Sequence, residues 1–394
     1  MPLVGLGTGA SAFGNECDEP PPNPPFTNER CFVDMAKRAA ADWIGRGGAL
    51  VETAQDDLNQ VPVGAAYAES GVDRSELFLM TKCIGSLSFE GTSECIYDAL
   101  QMLQTDYLDL VILHGPRRPG ACFEGQVGVR NAQSGCTHEV PVGDEDHPWK
   151  AYDPGDAGRL ESWRALEVAQ LRGLTRAIGL SDFSVEQIGP ILAKARIPPA
   201  LLQTNFQMAS RFQRPEALKL KAYCDAHGIV TQAWGPLGSP ILGRGFDPQE
   251  PEKPFLRQVD YESGALRAIA AAHGVSTRQA ALRWILESGA AIVVGTGNPE
   301  HMRSDAALFG FSLSPAEMAV LDSGAALAHE RRPSPAAAAA PAAPVGVALL
   351  GLALVPLVVL VGATGLVVRR SRRVHALGGS EEAQAEAGRL HELV

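Results

Sequence analysis

Short apolar runs recur along the first three quarters of the chain. Between them lie longer stretches in which apolar positions return every three or four residues. The runs read as strands buried on both faces and the stretches as amphipathic helices that cover them. Strands are expected at 3–8 (LVGLGT), 49–53, 76–82 (ELFLMTK), 107–114, 177–181, 200–205, 229–234 and 291–295 (AIVVG). Helices are expected at 27–45, 61–70, 92–103, 159–171, 184–195, 215–227, 261–273, 276–288 and 299–308. The clearest strand is YLDLVILHGP, Tyr107–Pro116: five of its first seven residues are large and apolar, and it stops abruptly at His114-Gly115-Pro116.

Alternation of strand and helix argues for a parallel α/β sheet. Eight such units argue for a closed (β/α)8 TIM barrel, and the length of 394 residues accommodates one with additions. An open doubly wound sheet competes, but no GxGxxG follows a strand and opens a helix. In a barrel, His114 at the last position of the fourth strand stands at the rim where catalytic groups collect.

The rhythm breaks at 115–158, which is rich in Gly, Pro and charge and reads as a long loop inserted into a barrel spanning 1–330. Cys122, Cys136, His138 and His147 share this loop, but their spacing matches no standard zinc pattern and no metal site is expected. Residues 331–344 form a Pro/Ala linker. Residues 345–368 are uncharged and, at about 1.5 Å per residue, long enough to cross a hydrocarbon core of about 30 Å. A single C-terminal transmembrane helix is therefore expected, followed by a charged tail over 369–394. Arg369, Arg370, Arg372 and Arg373 would place that tail in the cytosol by charge bias. The absence of a signal-like start, the scattered thiols and the cofactor considered below favour a single-pass, tail-anchored protein with a cytosolic barrel.

A net charge of −11 argues against a nucleic-acid partner. The seven cysteines include no CxxC pair, and most are read as reduced thiols of an intracellular chain.

Eight segments, MPLVGLGT, VETA, ELFLMTK, YLDLVILHGP, AIGLSDF, LLQTNFQ, QAWGPLGSP and IVVGTGNPEHM, appear in the order and near the spacing of the aldo-keto reductase family. Over about residues 2–325 the chain resembles that family. The resemblance implies a barrel that holds NADP or NAD at the strand C-termini and reduces a small-molecule carbonyl substrate. In the family a tyrosine gives the carbonyl its proton, a lysine lowers the tyrosine's pKa, an aspartate pairs with the lysine and a histidine orients the carbonyl.

Carried onto this chain, the histidine is His114 and the lysine Lys82. The aspartate position is Glu52, and the tyrosine position falls on Asp57. A phenol with pKa near 10 is a proton donor at neutral pH, whereas an ordinary aspartate is already ionised. Repulsion from Glu52 could keep a proton on Asp57. The cofactor set implied by the resemblance is Thr8, Ser181, Asp182 and Gln203, then Trp234 as the stacking ring, and Gly235, Pro236, Leu237 and Ser239 over the pyrophosphate. At the adenosine end stand Gly295, Thr296, His301 and Asp305, with Ser304 beside them. The cations that would hold a 2′-phosphate are missing there, so the choice between NADP and NAD stays open. Gly115 replaces a bulky tryptophan after the histidine and implies a wider substrate pocket. Read as residues alone, His114 and Lys82 are also compatible with structural strand-end roles, Trp234 with packing and Asp57 with a plain surface position. Two functions follow: a membrane-anchored oxidoreductase, or a dinucleotide-binding barrel that senses redox state for a membrane-protein partner.

Overall fold

Eight strands close into a barrel in chain order, every neighbouring pair parallel, with β8 returning to β1. The computed structural model describes residues 1–9, 29–57, 59–116, 153–208, 215–238 and 264–323. The strands are β1 Val4–Gly7, β2 Leu50–Glu52, β3 Phe78–Cys83, β4 Leu108–Leu113, β5 Thr175–Ser181, β6 Leu201–Thr204, β7 Val230–Trp234 and β8 Ala291–Gly295. The helices are α1 Glu29–Gly45, α2 Gln60–Ser70, α3 Phe89–Met102, α4 Gly155–Leu171, α5 Val185–Lys194, α6 Pro215–Ala226, α7 Gly264–Ala272, α8 Thr277–Glu287, α9 Pro299–Ala306 and α10 Pro315–Asp322.

Local chemistry sets several boundaries. Ser88 caps α3 by accepting from Gly91 N, so this helix starts three residues before its expected position. The helix α10 was not expected from periodicity; its signature is the capping box of Ser314 and Glu317 with Pro315 at the first position. Trp284 Nε1 donates to Asp322 Oδ1 at 2.9 Å and ties α10 to α8.

Side chains alternate along each strand and sort into two layers. Met80, Leu110, Ile112 and Leu201 fill the barrel interior together with Phe78 and Ala177. Their neighbours Leu79, Val111, Leu113 and Leu202 join the larger core between barrel and helices. Burial of each such side chain contributes about 1.5–3 kcal/mol. Gly179 marks a close approach: a Cβ there would sit 2.5 Å from Leu201 O and 2.9 Å from Ile112 Cγ2. The same alternation aims Lys82, two residues beyond Met80, into the barrel, and turns Cys83 outward toward α3.

Cys83 forms a disulfide with Cys95 of α3, with Cα atoms 5.8 Å apart. This corrects the reading of these two cysteines as reduced thiols: β3 and α3 are adjacent in space, and the outward face of β3 meets the buried face of α3. Cys224 is free and buried, and burial pushes its thiol up to about 11.

The chain divides into two compact units, Met1–Arg332 and Pro333–Val394. The second unit, with the expected span at 345–368 and the charged tail, lies outside the described residues, as do the 331–344 linker, the core of the long insertion, and Cys122, Cys136, His138 and His147. Among the described residues no helix is long and apolar enough to cross a membrane.

Candidate active site

The carboxyl ends of β2, β3 and β4 place three expected site residues at one mouth of the barrel. Lys82 Nζ lies 2.6 Å from Glu52 Oε1, and both side chains are 6% exposed. His114 follows β4 directly, and its N–H donates to Cys83 O at 2.8 Å, extending the β3–β4 ladder by one residue.

The turn between β2 and α2 is stitched to both neighbouring strands. Gln55 N donates to Lys82 O at 3.0 Å, and Ile84 N donates to Gln55 Oε1 at 3.1 Å. Asn59 accepts from Ala54 N at 3.0 Å and donates to Thr8 O and Thr8 Oγ1, each at 2.9 Å. That use of its side chain explains why Asn59 makes no side-chain cap on α2. Thr8 Oγ1 in turn donates to Glu52 O at 2.6 Å. Thr8, expected to touch the cofactor, thus has its hydroxyl in the scaffold of this turn.

The turn carries Asp56 and Asp57. Asp56 Oδ1 lies 2.7 Å from His114 Nδ1. Asp57 sits beside Gly9, where a Cβ would be 3.0 Å from Asp57 Oδ2. Asp56 was not anticipated from the sequence. Its signal was the doubled acid in Gln55-Asp56-Asp57, one position before the expected tyrosine.

These charges tune one another. Burial alone would push Lys82 down, but the charges of Glu52 and Asp57 and the hydrogen bond to Glu52 hold its ammonium above the ordinary value. Burial likewise works against a charged His114. Asp56, by charge and hydrogen bond, and Asp57, by charge, outweigh burial and the opposing Lys82, so the imidazole is raised. Burial would raise Asp56, but His114 and Lys82 hold it below its ordinary value. Asp57 is pushed up to about 6 by burial and by the charge of Asp56, against Lys82 and His114.

Gln203, expected to hold a nicotinamide carboxamide, instead donates through Nε2 to Glu52 Oε2 and to Gln232 Oε1, the latter at 2.7 Å. Glu52 is one methylene longer than an aspartate and bonds both Lys82 and Gln203. Ser181, paired in register with Gln203, has a buried Oγ with no hydrogen-bond partner among the described residues. Asp182 adopts a left-handed backbone (φ 54°), and its Oδ1 accepts from Trp234 Nε1 at 3.1 Å. Gly235 and Gly238 have positive φ in the turn after β7, which also carries Pro236 and Leu237; Ser239 lies outside the described residues. At the mouth beside β8, which ends at Gly295, Thr296 Oγ1 accepts from Asn298 N at 3.1 Å and lies 3.3 Å from His301 Nδ1. Asp305 is buried on α9, and desolvation pushes it up to about 7.

A parallel eight-stranded barrel with a buried lysine–carboxylate pair and a histidine at its carboxyl-end mouth is an enzyme-type architecture. Residues 26–325 match the Aldo/keto reductase family, and the chain belongs to that family. It is 30% identical over 286 residues to morphine 6-dehydrogenase of Pseudomonas putida, covering 72% of this chain and 81% of that one. It is 31% identical over 330 residues to aldo-keto reductase family 1 member A1 of Xenopus tropicalis, covering 82% and 84% respectively. The fold is similar to the aldose reductase of Schistosoma japonicum, with a TM-score of 0.60 and 20% identity over 84% of this chain and 90% of that one. The family is one of oxidoreductases that use NAD(P)H.

Proposed function

We propose that the chain transfers hydride between NAD(P)H and an aldehyde or ketone, or runs the reverse alcohol oxidation, at the mouth formed by Glu52, Lys82 and His114. The observation that carries this reading is the buried Lys82–Glu52 pair, 2.6 Å apart, with a histidine on the adjacent strand end. The residues present fit a nicotinamide group at Ser181, whose buried hydroxyl has no partner among the described residues and suits a carboxamide, and at the half-buried Trp234, whose ring bonds to Asp182, the next residue.

A bound dihydronicotinamide supplies the hydride. The chain's own residues orient the carbonyl and stabilise the charge that develops on its oxygen. Lys82, kept as an ammonium, and His114 present positive charge toward that oxygen in a partly water-excluded mouth. Gly115 leaves room at the mouth: among the described residues, no atom beyond its chain neighbours lies within 4 Å of where its Cβ would be. This favours bulky carbonyls; one relative is named morphine 6-dehydrogenase.

At the adenosine end, Gly295, Thr296, His301, Ser304 and Asp305 supply no lysine or arginine themselves, but the charge of Arg278 reaches Asp305, so both NADPH and NADH are candidates. Residues 345–368 are the proposed membrane anchor, supported by their length and lack of charge. The full chain is expected to float with lipid vesicles. Val358→Arg, costing about 2.5–3.5 kcal/mol at mid-span, is expected to release it; unaltered flotation of that variant would remove the anchor.

The deciding experiment uses the full chain. NADPH and NADH are titrated by fluorescence, and loss of reduced cofactor is then followed with a panel of aldehydes and ketones. Binding with turnover supports the reading. Binding without turnover would make the barrel a dinucleotide-binding module, and a flat titration with both cofactors would remove the reading altogether.

A further inference from the structure

We propose that His114, held by Asp56, gives the carbonyl oxygen its proton in this chain, with Asp56 as the positioning residue. The proposal rests on the oxidoreductase reading above and names the acid that the tyrosine position does not supply.

Geometry carries the argument. Asp56 Oδ1 engages Nδ1 of His114 at 2.7 Å. This bond leaves Nε2, on the far side of the ring, for the substrate. The pair is 24% exposed at His114 and 34% at Asp56, so a substrate entering the mouth reaches it. Lys82 is engaged by Glu52 at 2.6 Å and is only 6% exposed. Both members of the pair hang on β3. His114 N donates to Cys83 O, while Gln55, the residue before Asp56, donates its N–H to Lys82 O. One strand thus sets their separation.

Among the described residues, the charged groups acting on the imidazole are Asp56 and Asp57 from the β2–α2 turn and Lys82 from β3, with Glu52 of β2 paired to Lys82. Against burial and the Lys82 ammonium, the two carboxylates raise the ring's hold on its proton above the ordinary value. Asp57, the occupant of the tyrosine position, lies in the same field and forms no comparable pair among the described residues.

The step balances as follows. A C–H bond forms as hydride reaches the carbonyl carbon, and the C=O π pair moves onto oxygen. That oxygen takes the proton from Nε2, forming O–H as N–H breaks. The ring keeps the electron pair and becomes neutral imidazole, with Nδ1–H donating to Asp56. The hydride would come from the C4–H bond of a bound dihydronicotinamide, which would be left as its oxidised pyridinium, and the ring regains a proton from water. Alcohol oxidation runs the same steps backward.

The test is carried out on the full chain, with His114→Ala, Asp56→Asn, Asp56→Glu and Asp57→Asn beside the wild type. The ring protons of His114 are titrated by NMR without cofactor, and kcat for carbonyl reduction is profiled against pH. In the wild type the rate should fall at a break that coincides with the His114 titration. Asp56→Asn should move both to lower pH and lower kcat at pH 8 by about tenfold or more. Asp56→Glu should restore part of each, and His114→Ala should cost about 10²–10⁴ in kcat and abolish the break.

A break unmoved in Asp56→Asn but lost in Asp57→Asn would overturn the proposal and assign the proton to Asp57. An NMR titration of His114 that Asp56→Asn leaves in place would also overturn it. A wild type that binds cofactor and never turns over would sink the oxidoreductase reading itself, and with it the proton-donor role, while the NMR arm would still report whether the pair exists.

Discussion

The carboxylate of Asp56 and the imidazole of His114 are 58 residues apart in sequence and 2.7 Å apart in the fold. Neither strand that supports them would bring them together alone. The β2–α2 turn leans over the end of β3, and β4 extends past its own last ladder pair to meet it. The mouth of this barrel therefore holds two paired sets of ionisable groups, the buried Lys82–Glu52 ion pair and the more exposed His114–Asp56 pair, with Asp57 as a fifth ionisable group that interacts with both.

The inner pair is expected to dominate the stability of the site. Glu52→Gln leaves Lys82 buried opposite a neutral partner and is expected to cost about 3–5 kcal/mol by chemical denaturation. The double variant Glu52→Gln/Lys82→Met should lose less than the sum of the two singles, because neither member of this pair is left charged without the other. A single variant within about 1 kcal/mol of wild type would show that the pair is not buried as described.

Gly115→Trp is expected to restrict the mouth. With no non-neighbouring atom of the described residues within 4 Å of the added Cβ, stability should change little. Turnover of bulky ketones should fall by about tenfold or more, roughly the effect of about 1.4 kcal/mol in the transition state, while small aldehydes are spared. Equal losses for both substrate classes would place the pocket elsewhere.

The Cys83–Cys95 disulfide closes a loop of 12 residues. Reduction is expected to lower the stability of the full chain by about 3 kcal/mol. Denaturation curves with and without reductant, compared with a Cys83→Ser/Cys95→Ser variant, measure this. Indistinguishable curves in the wild type would show that the bond is not formed in solution.

Asp305 is raised from 3.8 to about 7 by desolvation. The folded state therefore prefers the neutral carboxyl. Its contribution is favourable at low pH and is lost as pH rises from the unfolded value through about 7. Asp305→Asn should leave stability at pH 4 nearly unchanged and raise it at pH 8 by an amount on the order of 3 kcal/mol. A variant no more stable at pH 8 would mean that Asp305 is solvated.

Each strand expectation met a strand of the closed ring, because buried parallel strands are written as unbroken apolar runs and their covering helices as a 3.6-residue period. Those are local signals. The places of Lys82 and His114 were legible for the same reason: each follows an apolar strand run at its carboxyl end, His114 just past β4 at the rim and Lys82 one residue before the end of β3, facing inward. The helix α10 was legible too, in its Ser-Pro-Ala-Glu start, but periodicity alone passed over its eight residues.

What the sequence determined by itself was the alternation, the direction in which each strand residue faces, and the absence of a phenol at position 57. Tertiary structure decided the partners. Ring closure and the bend of one turn gave His114 to Asp56, Gln203 to Glu52 across 151 residues, and Cys83 to Cys95. Periodicity fixes which way a side chain points. Which side chain it meets depends on how loops with no period of their own fold across the mouth.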